Sequence, residues 1–449
     1  MQIADCRLQI ANCLAFALLA LLVSSPSFAQ DAPGAVQVFD RALLRQMTHR
    51  ADSLLYARRF AAAESAYADV LEADSNYAPG YLGIATARFY GSRGRGDKAV
   101  RVLRDFQKAV ELAPGNPIAQ LRYGEALLPW RVGGREPDSA RIAQAIEHLV
   151  RALELAPNRV EPCQALCLAR LARGERTQAE AALRELTAHD FFPKPVLDFG
   201  YNLLVSADSN GLVFVNGDMD LFPALALQAD GLRSDVTIVS IPLLDAPWYV
   251  KYLKHARNLP VSLGDDELET LAGRYDKGLE RTLSPGERIL QDVVGNRQRV
   301  KGGFYFAITV RRPVLEIFKR NLSLEGYVYR VSDDKDVIPV NEKQSSANLG
   351  ERYRGLDFQG MPVWRTNSSP LTRDYSALAK DCAAAYWALA DEYRSRGDIS
   401  RVSGCCRKAC TILVSAGKWV ALEKVLKYWL KVAPQDPDAL RLKKDFYGE

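Results

Sequence analysis

The chain has 449 residues, 48% hydrophobic and 25% charged, the balance of an ordinary folded protein with enough length for two or three cores. Lys and Arg total 59 against 54 Asp and Glu, a net charge of +5 interspersed along the sequence, so neither nucleic acid nor an acidic polymer is demanded as partner. Apart from one stretch near the start, no apolar run reaches the ~18 residues of a membrane-crossing helix, which excludes a multi-spanning membrane protein.

That first stretch, Leu14 to Val23, reads LAFALLALLV, ten apolar residues followed by Ser27-Phe28-Ala29 and the polar Gln30-Asp31. The length suits the apolar part of a secretory signal peptide, and Ser27-x-Ala29 offers the small side chains a signal peptidase accepts. Residues 1–29 are therefore expected to be removed after Ala29, leaving a periplasmic or secreted chain; an uncleaved N-terminal anchor is the alternative. Six cysteines follow, Cys163, Cys167, Cys382, Cys405, Cys406 and Cys410, with no C-x-x-C among them. No metal centre, haem or other cofactor is indicated. Cys163/Cys167 and Cys406/Cys410 stand one helical turn apart, the spacing of small apolar residues facing a neighbouring helix, although an exported chain leaves a disulfide open.

Residues 30–194 form an N-terminal block of tetratricopeptide-like helical repeats. Ala63-x3-Tyr67, Phe106 and Ala109, Ala145-x3-Leu149 and Ala179-x3-Leu183 mark second helices, and Tyr81-x2-Ile84-Ala85, Tyr123-Gly124 and Leu166-Cys167 mark first helices. This predicts four hairpins, with small residues at the crossings letting paired helices approach closely. The period is 39 from Ser75 to Pro114 and 43 from Pro114 to Pro157, longer than the usual ~34. Both insertions fall in the turn inside a hairpin. They carry Arg93, Arg95, Trp130, Arg131 and Arg135 to one edge, either a contact surface for an acidic or sugar-like partner or a solvated loop edge.

From 195 to 371 the period changes. Gly211–Val215, Val236–Ile241, Phe304–Val310 and Gly326–Val331 are short β-branched and aromatic runs, and helices are expected over Leu221–Asp230 and Pro247–Arg257. Strand-helix-strand succession implies a layered α/β unit around a small, mostly parallel sheet of three to four strands. Ser284-Pro285-Gly286-Glu287 reads as a helix start of the capping-box kind. After the first strand comes Asn216-Gly217-Asp218-Met219-Asp220-Leu221-Phe222-Pro223. In parallel sheets ligands sit at the carboxyl ends of strands, so Asn216, Asp218 and Asp220, with Gly217 permitting a tight bend, are candidate ligand-binding residues, the two carboxylates being able to hold a divalent cation or bracket sugar hydroxyls. Equally, Asp220 suits a helix N-cap and Asn216 can close the turn alone. Trp248 and Tyr249, after the second strand, offer a stacking face or a core contact. No general base and no nucleophile in a recognisable setting emerges, so no catalytic residue is assigned.

Residues 372–449 return to helical spacing. Tyr386-x2-Leu389-Ala390-x2-Tyr393 with Gly397-Asp398, then Gly417-Lys418-Trp419 and Leu422-x3-Leu426, predict three antiparallel helices and a short tail helix. The fold class is thus mainly α with a central α/β domain, tetratricopeptide-like hairpins flanking the sheet.

The run VFVNGDMDLFPALALQADGLRSDVTIVSIPLLDAPWYVKYL, Val213 to Leu253, with FYFAITV and LEGYVYRV further on, resembles the soluble C-terminal region of bacterial multi-spanning proteins of the protein O-mannosyltransferase family. The resemblance covers roughly 195 to 435 and is carried by NGD-x-D-x-FP and the later PWY. Met219 and Leu221 stand where that family has Asn and Thr, which removes two polar groups from any metal or sugar site. The family's transferase chemistry is attributed to its membrane part, which has no counterpart here, so the resemblance implies an extracytoplasmic accessory module. Taken together, the sequence points to a non-catalytic scaffold for a protein or peptide partner in the cell envelope, with glycan binding through the 216–220 loop as the alternative.

Overall fold

The structure, a computed structural model, describes residues 33–92, 98–130, 138–332, 337–359 and 375–448. Nine helices come first: α1 Pro33–Tyr56, α2 Phe60–Ala73, α3 Ala78–Ser92, α4 Lys98–Leu112, α5 Pro117–Leu127, α6 Ser139–Leu155, α7 Pro162–Ala172, α8 Arg176–Ala188 and α9 Lys194–Ser206. The first eight pair as four hairpins, and α9 leads into the sheet. Local chemistry sets the helix starts: Asn116 accepts the Ile118 and Ala119 amides at 2.9 and 3.3 Å with Pro117 behind it, and Asp138 caps α6 through Ala140 and Arg141. The helices can approach because glycine sits where an aromatic or leucine crosses. A Cβ on Gly83 would lie 2.1 Å from the Tyr67 ring, and one on Gly124 would lie 2.8 Å from Leu149.

The central region runs β1 Leu212–Val215, α10 Asp218–Ala229, β2 Thr237–Ser240, α11 Pro247–Arg257, α12 Asp265–Thr270, β3 Arg274–Asp276, β4 Arg281–Leu283, α13 Pro285–Gly295, β5 Phe304–Ala307, α14 Arg312–Leu315, β6 Leu322–Leu324, β7 Val328–Val331 and α15 Glu342–Ala347. The main sheet has the order β2-β1-β5-β7-β6, while β3 and β4 form a separate hairpin. One row of aligned residues crosses it, Val239, Phe214, Phe306, Tyr329 and Leu324. β1, β2 and β5 are parallel and every one of their residues is buried, as expected when helices cover both faces.

The sheet is therefore five-stranded and mixed, where sequence spacing suggested three to four mostly parallel strands. β7 runs antiparallel to β5: the chain between them makes only short helical turns and the edge strand β6, with no helix long enough to cross over and return in parallel. The expected capping box at α13 is present: Ser284 Oγ accepts the Glu287 amide at 3.2 Å and the Glu287 carboxylate accepts the Ser284 amide at 2.9 Å.

Four helices close the chain: α16 Ser376–Ser395, α17 Ile399–Ser415, α18 Trp419–Val432 and α19 Pro437–Tyr447. Trp429 of α18 is buried and donates its indole N–H to Ser403 of α17 at 3.1 Å. A single apolar core runs from Leu121 in α5 through the sheet to Ala439 in α19, while α1–α3 and α3–α5 are held by two smaller clusters of their own. All six described cysteines are buried free thiols inside that long core, and burial pushes the pKa of Cys163, Cys167, Cys405 and Cys410 up to about 12. Among the described residues no helix is long and apolar enough to cross a membrane.

Candidate functional site: a crevice at the ends of the parallel strands

β1 is the central strand of the parallel trio. From its carboxyl end the chain runs through α10 to β2 on one side, and from β2 it returns to β5 on the other. The loops leaving β1 and β5 thus diverge, which in open α/β sheets opens a crevice. Asp220 spans the divergence: its Oδ2 accepts the Asn216 amide at 3.1 Å and the Thr309 hydroxyl at 2.6 Å, tying the end of β1 to the segment after β5.

Asp220 is not the N-cap that its spacing suggests. The cap is Gly217, and Asp220 is the third helical residue, with only 3% of its surface exposed. Nor does the bend need glycine, since Gly217 is extended at φ 164° and a Cβ there would touch nothing. Burial raises the Asp220 pKa to about 6; its two hydrogen bonds pull the other way, and the nearby charges of Asp381 and Asp218 raise it further. Asp381, on α16, is also shifted up by burial.

These groups line a crevice of about 620 Å³. Asn216, Asp218, Asp220, Ser240, Thr309 and Asp381 supply its polar wall, and Trp130, Leu168, Met219, Leu243 and Leu378 its apolar one. Acceptor oxygens beside an indole suit a hydroxyl-rich ligand better than an anion, which the carboxylates would repel. None of the four histidines lines the crevice, and among the described residues no group of three His, Cys, Asp or Glu is placed to hold a metal ion.

The sequence candidates divide. Asn216, Asp218, Asp220 and Trp130 come together in the crevice, although Trp130 was singled out as part of a hairpin edge. Trp248 and Tyr249 do not line it. Trp248 is 5% exposed with the Trp130 ring 4.6 Å away, and buried Tyr249 accepts the Ser240 amide at 3.1 Å through its hydroxyl oxygen. Neither presents an open stacking face, because α11 turns this end of its first turn into the core. Arg93, Arg95, Arg131 and Arg135 lie outside the described residues. Sequence reasoning missed Thr309 and Asp381. Asp381 left a signal, a carboxylate between Leu378-Ala379 and Cys382-Ala383 on an otherwise apolar helix face.

The family model described as TMEM260-associated domain 2, TMEM260 being related to O-mannosyltransferases, matches residues 196–275, from α9 to β3. No curated protein matches the chain. Among solved structures, the crystal structure of MamA is 20% identical with a TM-score of 0.28 over 46% of this chain and 92% of that one. The tetratricopeptide-repeat domain of P58(IPK) is 14% identical with a TM-score of 0.21 over 90% of this chain and 89% of that one. Likenesses this distant carry nothing about function.

Proposed function

We propose that this chain is an exported, non-catalytic scaffold that binds a protein or peptide partner of the cell envelope through its helical blocks. The observation that carries the reading is where apolar surface is left open. Among the described residues, the large hydrophobic side chains that stay exposed lie, all but Tyr275 and Ile338, on the two helical blocks. Trp419 at 51% and Val420 at 71% head α18, the Trp419 ring lies against Phe446 of α19, and Leu440 and Tyr447 of α19 are exposed as well. Helical repeats bind by shape and side-chain pockets, which suits such a surface. Export rests on the Leu14–Val23 run and Ser27-x-Ala29. Affinity purification from the native host is expected to return envelope proteins, and Trp419→Asp with Val420→Asp to lose them while the thermal midpoint holds. Recovery of ribosomal or cytosolic proteins instead, unchanged by the double variant, would sink the proposal.

The crevice favours a second reading, recognition of a glycan as an accessory to cell-surface glycosylation. The TMEM260-associated match, which covers β1, β2 and the 216–220 loop, supports this direction. A glycan array and calorimetry on the full chain, compared with Asp218→Asn and Asp220→Asn, separate the readings: glycan binding lost in both variants establishes the second, and no binding by the parent chain removes it.

A further inference from the structure

A separate cavity lies where the fourth hairpin meets the α/β layer. α8 packs along α10 and α7 leans on α11, and between those two contacts a space of about 340 Å³ remains. That is within the range of small-molecule sites, ~300–1,000 Å³, which favour the junctions between packed bodies. Its lining comes from all four helices and β2, and Leu171, Leu183, Leu225, Ile238 and Leu253 form its apolar wall.

The mouth has the opposite character. Arg176 and Arg184 of α8 keep 57% and 50% of their side chains exposed, and Arg257 joins them from the last turn of α11. The lining holds a single carboxylate to set against them, Glu180, 2.9 Å from Arg176 and 3.7 Å from Arg184. Arg257 donates only to the carbonyls of Ser234 and Val236, at 3.3 and 2.8 Å, and has no carboxylate partner among the described residues. Two positive charges are left uncompensated at the opening of an apolar hole. Tyr252 also lines it, and its hydroxyl makes no hydrogen bond among the described residues.

A ligand fitting both halves has an apolar body and one anionic group. We propose that the cavity binds a single-chain anionic amphiphile, the acyl chain among the leucines and the carboxylate or phosphate held by Arg176, Arg184 and Arg257 with the Tyr252 hydroxyl. A neutral sugar leaves the leucine and isoleucine wall without an apolar partner and the arginines without a counter-charge. The cationic mouth likewise excludes an amine.

Calorimetry on the full chain tests this with three probes below their micellar concentrations: dodecanoate, lauroyl lysophosphatidate and dodecanol. One saturable site is expected for at least one anion, with dodecanol about tenfold weaker or more, the worth of a charge-assisted hydrogen bond. Tighter binding of dodecanoate assigns a free fatty acid, and tighter binding of lysophosphatidate a lipid headgroup. Arg176→Gln, which removes only an exposed ion pair, and the double variant Arg176→Gln with Arg184→Gln should weaken the anion stepwise toward the alcohol and leave the alcohol unchanged. Leu225→Phe, which fills the space, should weaken all three, with the ligand-free thermal midpoint of each variant showing that it is folded. The proposal is overturned if neither anion saturates, or if dodecanol binds as tightly as the anions and the arginine variants change nothing.

Discussion

Tyr67 and Phe214 are both aromatic rings with 1% or less of their surface exposed, yet they sit in cores of different reach. Tyr67 packs with Ala51, Leu55, Ala63, Ile84 and Ala87, a cluster that ends within three helices. Phe214 stacks on Phe306 with centroids 5.1 Å apart, in a core continuous from the third hairpin to the last helix. The first two hairpins therefore behave as true repeats, each holding its neighbour. From α5 onward the hairpins have become walls of the α/β layer, and both cavities described above lie inside that fused part.

The sharpest test is Phe214→Ala, expected to cost ~3–5 kcal/mol in urea unfolding and to lower amide protection from α5 to α19 together. Loss confined to the sheet would break the comparison. Arg88 tests the other side: it joins Glu64 of α2, at 2.9 Å, and Asp105 of α4. Among the described residues, Arg88→Ala leaves the buried Asp105 only the exposed Arg104 at 3.7 Å, an expected ~3 kcal/mol felt by α2–α4 alone in hydrogen exchange.

Asp220 brings pH into the comparison. Its folded pKa, about 6, lies above the ordinary value of 3.8, so the folded state holds this proton more tightly than the unfolded chain does. The contribution is fully present below about pH 4 and is lost as pH rises to about 6, an amount of ~2–3 kcal/mol. The wild-type stability minus that of Asp220→Asn should decline across this window and be flat above it, with carboxylates shared by both proteins cancelling. A smaller effect, ~1–2 kcal/mol, is expected for Thr309→Val, which deletes the hydroxyl that satisfies Asp220. The same variant should raise the Asp220 pKa, read by the shift of that window.

The helical blocks were legible in the sequence because their signal is local. Ala63-x3-Tyr67 reports contacts between helices adjacent in the chain and Tyr123-Gly124 a contact within one hairpin, and Gly397 and Gly417 mark real turns with φ of 75° and 63°. Pro247–Arg257 was bounded correctly by its proline and by Asn258 in the left-handed region. β6 escaped because three residues, two of them half-buried, are too few to show alternation. The crevice was half legible. The 216–220 loop declared itself through its turn residues, whereas Thr309 and Asp381 reach it from other elements, and no spacing along the chain encodes that meeting. Trp248 misled because an aromatic pair after a strand reads alike whether it faces solvent or is roofed by Trp130.

The six buried thiols set a timetable for the protein's making. In oxidising surroundings a thiol is at risk only while α7, α16 and α17 remain undocked, since the finished fold suppresses the thiolate on which oxidants and disulfide exchange act. Correct maturation is then a race between collapse of the fused core and crosslinking of its own cysteines. A reductant present during refolding should raise the yield, and the same reductant added to the native protein should leave it untouched.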